Sequence, residues 1–463
     1  MGWYRTCDIR GTYPDEINEE LCYHFGQAIA LKLLATPSVI VGCDVRPSSL
    51  PLKEALVEGL TDAGAKVFDC GRTPTAVVFF GKRKLGTYAA VVTASHNPPE
   101  DNGLKLQLGR YPATAAQLRS LKPTGSGSRH RVPGGSVEAV NLADLYIQEQ
   151  HDVWGDRFLG AQGNGPLAFV LDPGNGAWTL LAHETMQRLG ITARMIHAEP
   201  DGRFPNRSPD CAARGALKAL CKEVRRSGAS AGIAWDGDGD RVAICDETGR
   251  VLSTDQLVLL LLPEILKDTR RERVLYDVKM SKQIRLAIEA HDAVPVLERS
   301  AHCYLETRMI SEDCLFGCEC SGHFFFRQLD GGDDGMHAAL VLVDFLRNHR
   351  HSLSQLLWQL PPLFITPDIR IRGDASHFVT IRKRVVESFS QARISYLDGV
   401  RVETDGGWFL IRPAVSESKL SFRFEGETSE KLTTLIEQVQ RVLPEHSEAL
   451  GAQVDCWGAA EAA

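Results

Sequence analysis

Short apolar runs that end on an aspartate recur along this chain. Val39-Ile40-Val41 leads through Gly42 and Cys43 to Asp44, Phe169-Val170-Leu171 leads to Asp172, and Val274-Leu275-Tyr276 leads to Asp277. Each run is followed by turn residues and a helical pattern. Arg46-Pro47-Ser48-Ser49 opens the first helix, Pro173-Gly174-Asn175-Gly176 precedes the second, and Ser281 is placed to cap a third over 283–289. An unbroken apolar strand, a turn and an amphipathic helix make the βα unit of a parallel sheet covered on both faces. The units lie more than 100 residues apart, which predicts repeated domains rather than a solenoid of about 20–50 residues per repeat. Ligands of open α/β sheets bind at the carboxyl ends of strands, so the aspartate-bearing loops are the first place to look for chemistry.

After Leu360-Pro361-Pro362 the pattern changes. Strand-like stretches at 368–372, 400–403, 408–411 and 420–424 follow one another closely and predict a smaller α+β unit. The expected organisation is three similar mixed α/β domains, at 1–138, 139–249 and 250–361, and a C-terminal α+β domain at 362–448. Residues 123–135, rich in Gly, Ser and Pro, predict an exposed loop late in the first domain. The Ala/Gly-rich tail at 449–463 is expected to fray.

A length of 463 residues accommodates several domains, at about 150 residues each. With 43% hydrophobic and 24% charged residues, disordered, collagen-like and coiled-coil classes are excluded. The apolar run 257–262, closed by Pro263, is too short to span a bilayer. A net charge of −7 without long single-sign blocks predicts no nucleic-acid and no membrane partner. The 12 cysteines lack CxxC pairs and sit mostly in apolar segments, such as Cys70, Cys221, Cys245 and Cys303. That usage predicts reduced thiols in a cytoplasmic protein and no zinc framework.

Four loops carry candidate chemistry. Thr93-Ala94-Ser95-His96-Asn97-Pro98-Pro99 follows a strand-like stretch at 88–92, and its prolines keep Ser95 on a stiff loop. A hydroxyl beside an imidazole suits a nucleophile or a phosphoryl carrier, and equally a turn serine. A hydrolase elbow would need glycines where Thr93 and Asn97 stand. Downstream, Asn102-Gly103-Leu104-Lys105 returns a lysine toward this loop. It could neutralise a phosphate, or transfer protons if its pKa were lowered. Asp236-Gly237-Asp238-Gly239-Asp240-Arg241 follows a strand at 231–235. Three carboxylates on a glycine-jointed loop suit a hard divalent cation such as Mg²⁺. An EF-hand is disfavoured, because Arg241 occupies the position that requires glycine.

Gly317-Cys318-Glu319-Cys320-Ser321-Gly322-His323 alternates an acceptor, a hydroxyl and an imidazole, as sugar hydroxyls require; Cys-x-Cys metal ligation is the weaker alternative. In Arg412-Pro413-Ala414-Val415-Ser416-Glu417-Ser418-Lys419, cations and hydroxyls suit an anion site, and equally a solvated charged turn.

Together and in order these loops resemble the α-D-phosphohexomutase superfamily, closest to its bacterial phosphomannomutase/phosphoglucomutase branch. The resemblance also takes in Cys7-Asp8-Ile9-Arg10-Gly11, Asp44-Val45-Arg46, 172–176, 200–206, Tyr276-Asp277-Val278-Lys279 and Asp333-Asp334-Gly335. It implies four domains around a central active-site cleft, and a phosphoserine at Ser95. It implies Mg²⁺ on Asp236, Asp238, Asp240 and a phosphoserine oxygen. The implied reaction interconverts hexose 1-phosphate and hexose 6-phosphate, of mannose or glucose, through a hexose 1,6-bisphosphate that reorients. By resemblance Arg10, His96, Lys105 and Arg241 manage protons and charge, while Lys279, His302, Glu319, Ser321 and His323 contact substrate. Arg412, Ser416 and Lys419 match the distal-phosphate loop, in an enzyme expected to be a cytoplasmic monomer or dimer.

The chain also departs from the family pattern. Cys7 replaces a tyrosine and Ala301 replaces a glycine before His302. Ala414, Val415, Ser416 and Ser418 stand where the phosphate loop has Ser, Gly or Asn, Thr and Pro. These departures keep open a non-catalytic sugar-phosphate-binding homologue. Cys320, between Glu319 and Ser321, behaves as a small hydrophobe and disfavours amino sugars.

Overall fold

The computed structural model describes residues 4, 6–33, 35, 38–122, 131–159, 167–373, 377–414 and 419–461, with side chains up to 454. Among these residues the strands form four sheets. The first runs Asp8–Thr12, Asp101–Leu108, Tyr88–Val92, Ser38–Cys43, Lys66–Arg72, Ser136–Ala139. The second runs Val242–Asp246, Ala231–Trp235, Ala168–Asp172, Thr192–Met195. The third runs Val294–Glu298, Arg273–Asp277, Phe316–Cys318, Phe324–Phe326.

These three sheets share one plan. Their central strands pair in parallel, and one strand turns back antiparallel after a loop: 101–108 beside 88–92, 242–246 beside 231–235, and 324–326 beside 316–318. The Ser95, Asp236–Asp240 and Glu319–His323 motifs each occupy that loop. The fold therefore presents three different chemistries from one repeated position. In the fourth sheet, which is antiparallel, 419–426 pairs with 407–413, the strand that carries Arg412.

Asp44, Asp172 and Asp277 are fully buried, and each organises its own loop. Asp44 accepts from Arg46 N and Thr93 Oγ1; Asp172 accepts from Gly174 N and Arg207 Nε; Asp277 accepts from Lys279 N. A buried carboxylate needs such donors, so these aspartates shape the strand ends and leave ligand contact to their neighbours.

One continuous core joins the second and third sheets with part of the first, through Phe80, Tyr146, Trp178, Trp235, Phe316 and the helix Thr254–Leu266. The fourth unit has its own core and docks on the third domain through the apolar cluster of Val278, Ile365, Trp408 and Leu410 and through polar contacts. Arg423 donates to Asp255 Oδ2 at 2.7 Å, Ser281 Oγ to Glu425 Oε1 at 2.5 Å, and Ser300 N to Asp398 Oδ2 at 3.0 Å.

Two expectations need correction. Cys7 and Cys303 form a disulfide between the first and third domains. Its partners are 296 residues apart, so only domain packing reveals the pairing. The expected frayed tail is the helix Pro444–Glu461, which packs Leu450 into the fourth core. Alanine is a strong helix former, and one well-placed leucine suffices to dock the turn. Residues 123–130 of the expected Gly/Ser/Pro loop lie outside the described residues, and 131–135 are exposed.

Candidate active site

A cleft opens where the loops of all four units converge. On its wall, Ser95 adopts a left-handed backbone conformation (φ 52°) and is 2% exposed. A non-glycine residue there is strained and needs outside support. Arg46 supplies it. Fully buried, its guanidinium donates to the carbonyls of Ser95 (2.8 Å), Asn97 (2.7 Å), Pro98 (2.5 Å) and Asp101 (3.1 Å). Thr93 Oγ1 accepts from Ser95 N at 2.8 Å and donates to Asp44 at 2.7 Å. The loop is thus gripped from beneath by the Asp44–Arg46 pair, leaving the Ser95 hydroxyl free for the cleft.

That hydroxyl donates to Asp236 Oδ2 at 2.8 Å, with His96 Nδ1 3.3 Å away. Gly237 permits this approach, because a Cβ there would lie 2.5 Å from the Ser95 carbonyl oxygen. Gly239, at φ +82°, makes the following turn against Trp178. Asp236, Asp238 and Asp240 are all buried, each offering an oxygen within 4.8 Å of the others. Burial and the neighbouring Asp240 and Asp238 charges push the Asp236 carboxyl up to about 7. Asp238 Oδ1 is buried without a hydrogen-bond partner. A crowded, electron-rich oxygen cluster with an orphaned acceptor fits a hard cation.

Lys105 Nζ contacts Asp240 and lies 2.7 Å from Asp238 Oδ2. Burial alone would lower its pKa, but Asp238 and Asp240 outweigh burial and raise it. These two carboxylates favour its charged form. Burial, aided by Arg241 and Arg10, instead holds His96 well below its usual range and therefore neutral. Arg10 bonds Asp8 Oδ2 through Nε and Nη2, at 2.9 and 2.7 Å, and the Thr93 carbonyl through Nη1 at 2.9 Å. Arg241 Nε stands 3.9 Å from Asp236.

Across the cleft, His323 links the 319–323 and 236–240 loops. Its Nδ1 is 2.9 Å from both Glu319 Oε2 and Ser321 Oγ, and its Nε2 is 3.3 Å from Asp240 Oδ1. Burial opposes its charge, but Asp240 and Glu319 overcome burial and raise it to about 10. An imidazolium between two carboxylates ties the loops together electrostatically. His302 is the opposite case: burial, then Lys105 and His323, hold it down to about 4. Lys279 faces Asp368 of the fourth domain at 3.4 Å.

Of the distal-phosphate residues, Arg412 lines the cleft beside Ala414 and Ser421, with Nε held on Asp398 at 3.0 Å. Ser416 lies outside the described residues, and Lys419 begins its strand away from the cleft lining. Arg423, on the same strand as Ser421, reaches Asp255 Oδ2 at 2.7 Å and the Cys320 sulfur at 3.0 Å. Cys320 therefore faces Arg423, while Glu319 and Ser321 line the cleft.

Sequence reasoning missed Asp8, Asp368 and Arg370 in this lining. It also missed a bridge beneath the cleft. Lys82 Nζ donates to Gln107 Oε1 and Gln107 Nε2 to Glu306 Oε1, both at 2.5 Å. Gln107 lies two residues beyond Lys105 on one strand, and Glu306 lies one turn beyond His302 on the helix His302–Ser311. No local signal marks such a contact, because it exists only where two domains meet.

Models of the three phosphoglucomutase/phosphomannomutase alpha/beta/alpha domains match this chain: domain I at residues 3–120, domain II at 146–249 and domain III at 253–364. The chain belongs to the phosphoglucomutase/phosphomannomutase family. Its relatives include the phosphomannomutase/phosphoglucomutase of Pseudomonas syringae, 32% identical over 96% of this chain and 94% of that protein. The Pseudomonas aeruginosa protein of the same name is 32% identical over 93% and 92%. A crystal structure of a phosphoglucomutase/phosphomannomutase family protein from Burkholderia thailandensis superposes with a TM-score of 0.85. It is 27% identical, covering 95% of this chain and 96% of that one. Membership of this family agrees with the three-domain repeat and with the placing of its loops on one cleft.

Proposed function

We propose that this family member is a phosphohexomutase that interconverts the 1- and 6-phosphates of mannose, glucose or both. The observation that carries the reading is Ser95, presented by the Arg46 clamp 2.8 Å from the Asp236 carboxylate, inside the cleft that also holds Glu319 and Ser321. In the proposed cycle Ser95 carries a phosphoryl group. That group passes to the free hydroxyl of a bound hexose monophosphate, giving a hexose 1,6-bisphosphate. The bisphosphate reorients and returns its other phosphoryl to Ser95.

Each side chain then has a task that follows from its charge. Phosphoryl transfer is governed by positioning and charge neutralisation. Lys105, Arg10 and Arg241 supply fixed positive charge around Ser95. Neutral His96 and His302 are available to accept the proton of an attacking hydroxyl, because each neutral ring keeps one unprotonated nitrogen. Glu319 and Ser321 hold sugar hydroxyls, with His323 fixing both. Lys279 and Arg412 meet the phosphate that is not transferred. The oxygen set of Asp236, Asp238 and Asp240 fits Mg²⁺, which would neutralise charge on the phosphoryl oxygens when bound. The proposed setting is the cytoplasm, as a monomer or dimer.

Coupled assays with mannose 1-phosphate and glucose 1-phosphate, in Mg²⁺ with hexose 1,6-bisphosphate as activator, test the reading. Turnover of at least one sugar is expected. Binding of both sugar phosphates with turnover of neither refutes it.

A further inference from the structure

The Cys7–Cys303 bond joins the two segments that deliver Arg10 and His302 to the cleft. Cys7 directly precedes the strand Asp8–Thr12, which carries Arg10, and itself lines the cleft. Cys303 follows His302 in the first turn of the helix His302–Ser311. Nine other cysteines among the described residues are free. The residue two places before Cys303 is unusual: Ala301 holds φ at 143°, a conformation that glycine takes readily and an alanine resists. The turn that presents His302 is therefore strained, and a covalent bond closes it on the far side. Ser300 N, on Asp398, anchors its near side.

We propose that Cys7–Cys303 is a thiol-reversible clasp: intact, it holds the strained Ala301 turn and His302 against the first domain, and a dithiol entering the cleft opens it. The chemistry is ordinary thiol–disulfide exchange. A thiolate of the dithiol attacks the Cys7 sulfur, the S–S bond breaks, and Cys303 leaves as a thiolate at a helix N-terminus, which stabilises it. The second thiol of the reductant then attacks its own sulfur in the mixed disulfide and releases Cys7. Two electrons and two protons pass from the dithiol, which becomes a cyclic disulfide, to the two cysteines. In a reducing compartment such bonds are transient and sense redox state. Opening lets the Ala301 turn relax and His302 withdraw, so the reduced protein is the less active form. This last consequence rests on the phosphohexomutase reading, whereas the clasp does not.

The test uses the full chain incubated with oxidised or reduced dithiothreitol, then alkylated and digested without reduction. The oxidised sample is expected to yield a peptide pair linked through Cys7 and Cys303, lost on reduction. Amide exchange across 302–311 should quicken at least threefold in the reduced sample, and kcat/KM for glucose 1-phosphate should fall at least threefold. Cys303→Ser should show the reduced level of activity in both buffers. Ala301→Gly, whose turn needs no clasp, should keep most of its activity when reduced. Complete alkylation of Cys7 and Cys303 in the oxidised, denatured sample would overturn the proposal. So would a linked pair whose reduction changes neither exchange nor kcat/KM. A chain that turns over no hexose phosphate, yet loosens at 302–311 on reduction, would sink the mutase reading and keep the clasp.

Discussion

Glu306 offers a quantitative check on how the first and third domains are joined. It is 3% exposed and accepts from Gln107, and burial pushes its carboxyl from an ordinary 4.5 up to about 7. Between those values the unfolded chain has released a proton that the folded chain retains. Stability therefore falls as pH rises through that window, and it stays lower above pH 7. The gap corresponds to about 3 kcal/mol, at about 1.4 kcal/mol for each tenfold in proton affinity. Glu306→Gln keeps the Oε1 acceptor for Gln107 and abolishes the titration. The variant should match the wild type near pH 4 and exceed it by up to about 3 kcal/mol at pH 8. If the whole chain unfolds as one unit, with about 2 cal/mol/K of entropy per residue, the melting temperature rises by about 3 °C at pH 8. Calorimetric melts of both proteins from pH 4 to 8 measure this. A difference between them that stays constant across pH would show that Glu306 ionises normally, refuting the burial argument.

Ser95→Ala should lower turnover by about three orders of magnitude or more, since no other group replaces a nucleophile. Intact mass should lose any phosphoryl adduct present on the wild type; a variant with wild-type activity removes Ser95 from the mechanism. Asp238→Asn should weaken Mg²⁺ activation and cut kcat about 100-fold, read from Mg²⁺ titrations of the assay; unchanged Mg²⁺ dependence would place the cation elsewhere. Arg412→Ala should raise KM about tenfold or more, with less change in kcat, because a charge-assisted bond to the untransferred phosphate contributes about 1.5–3 kcal/mol in ground and transition states alike. Ala414→Ser with Val415→Gly should lower KM. A micromolar KM unaffected by Arg412→Ala would exclude this loop as the phosphate site.

What the sequence alone determined was local. Strands at 88–92, 231–235 and 274–276 were legible because a doubly covered strand must be apolar throughout, and the Ser281 cap because a hydroxyl before a helix satisfies its free amides. The Ser95, Asp236–Asp240 and Glu319–His323 motifs were legible because each packs its functional groups into a few consecutive residues. Tertiary structure decided everything that depends on distant residues meeting. That Lys105 would stand between Asp238 and Asp240 could not be read from its own strand. The contact of Cys320 with Arg423 of the fourth domain has no sign in the 317–323 segment. The Arg46 clamp, the Gln107–Glu306 bridge and the Cys7–Cys303 bond leave no local trace, since each partner alone is an ordinary residue in its own element. A side chain's protonation, partner and orientation are set by the field and the neighbours that folding brings to it, and those come from other domains.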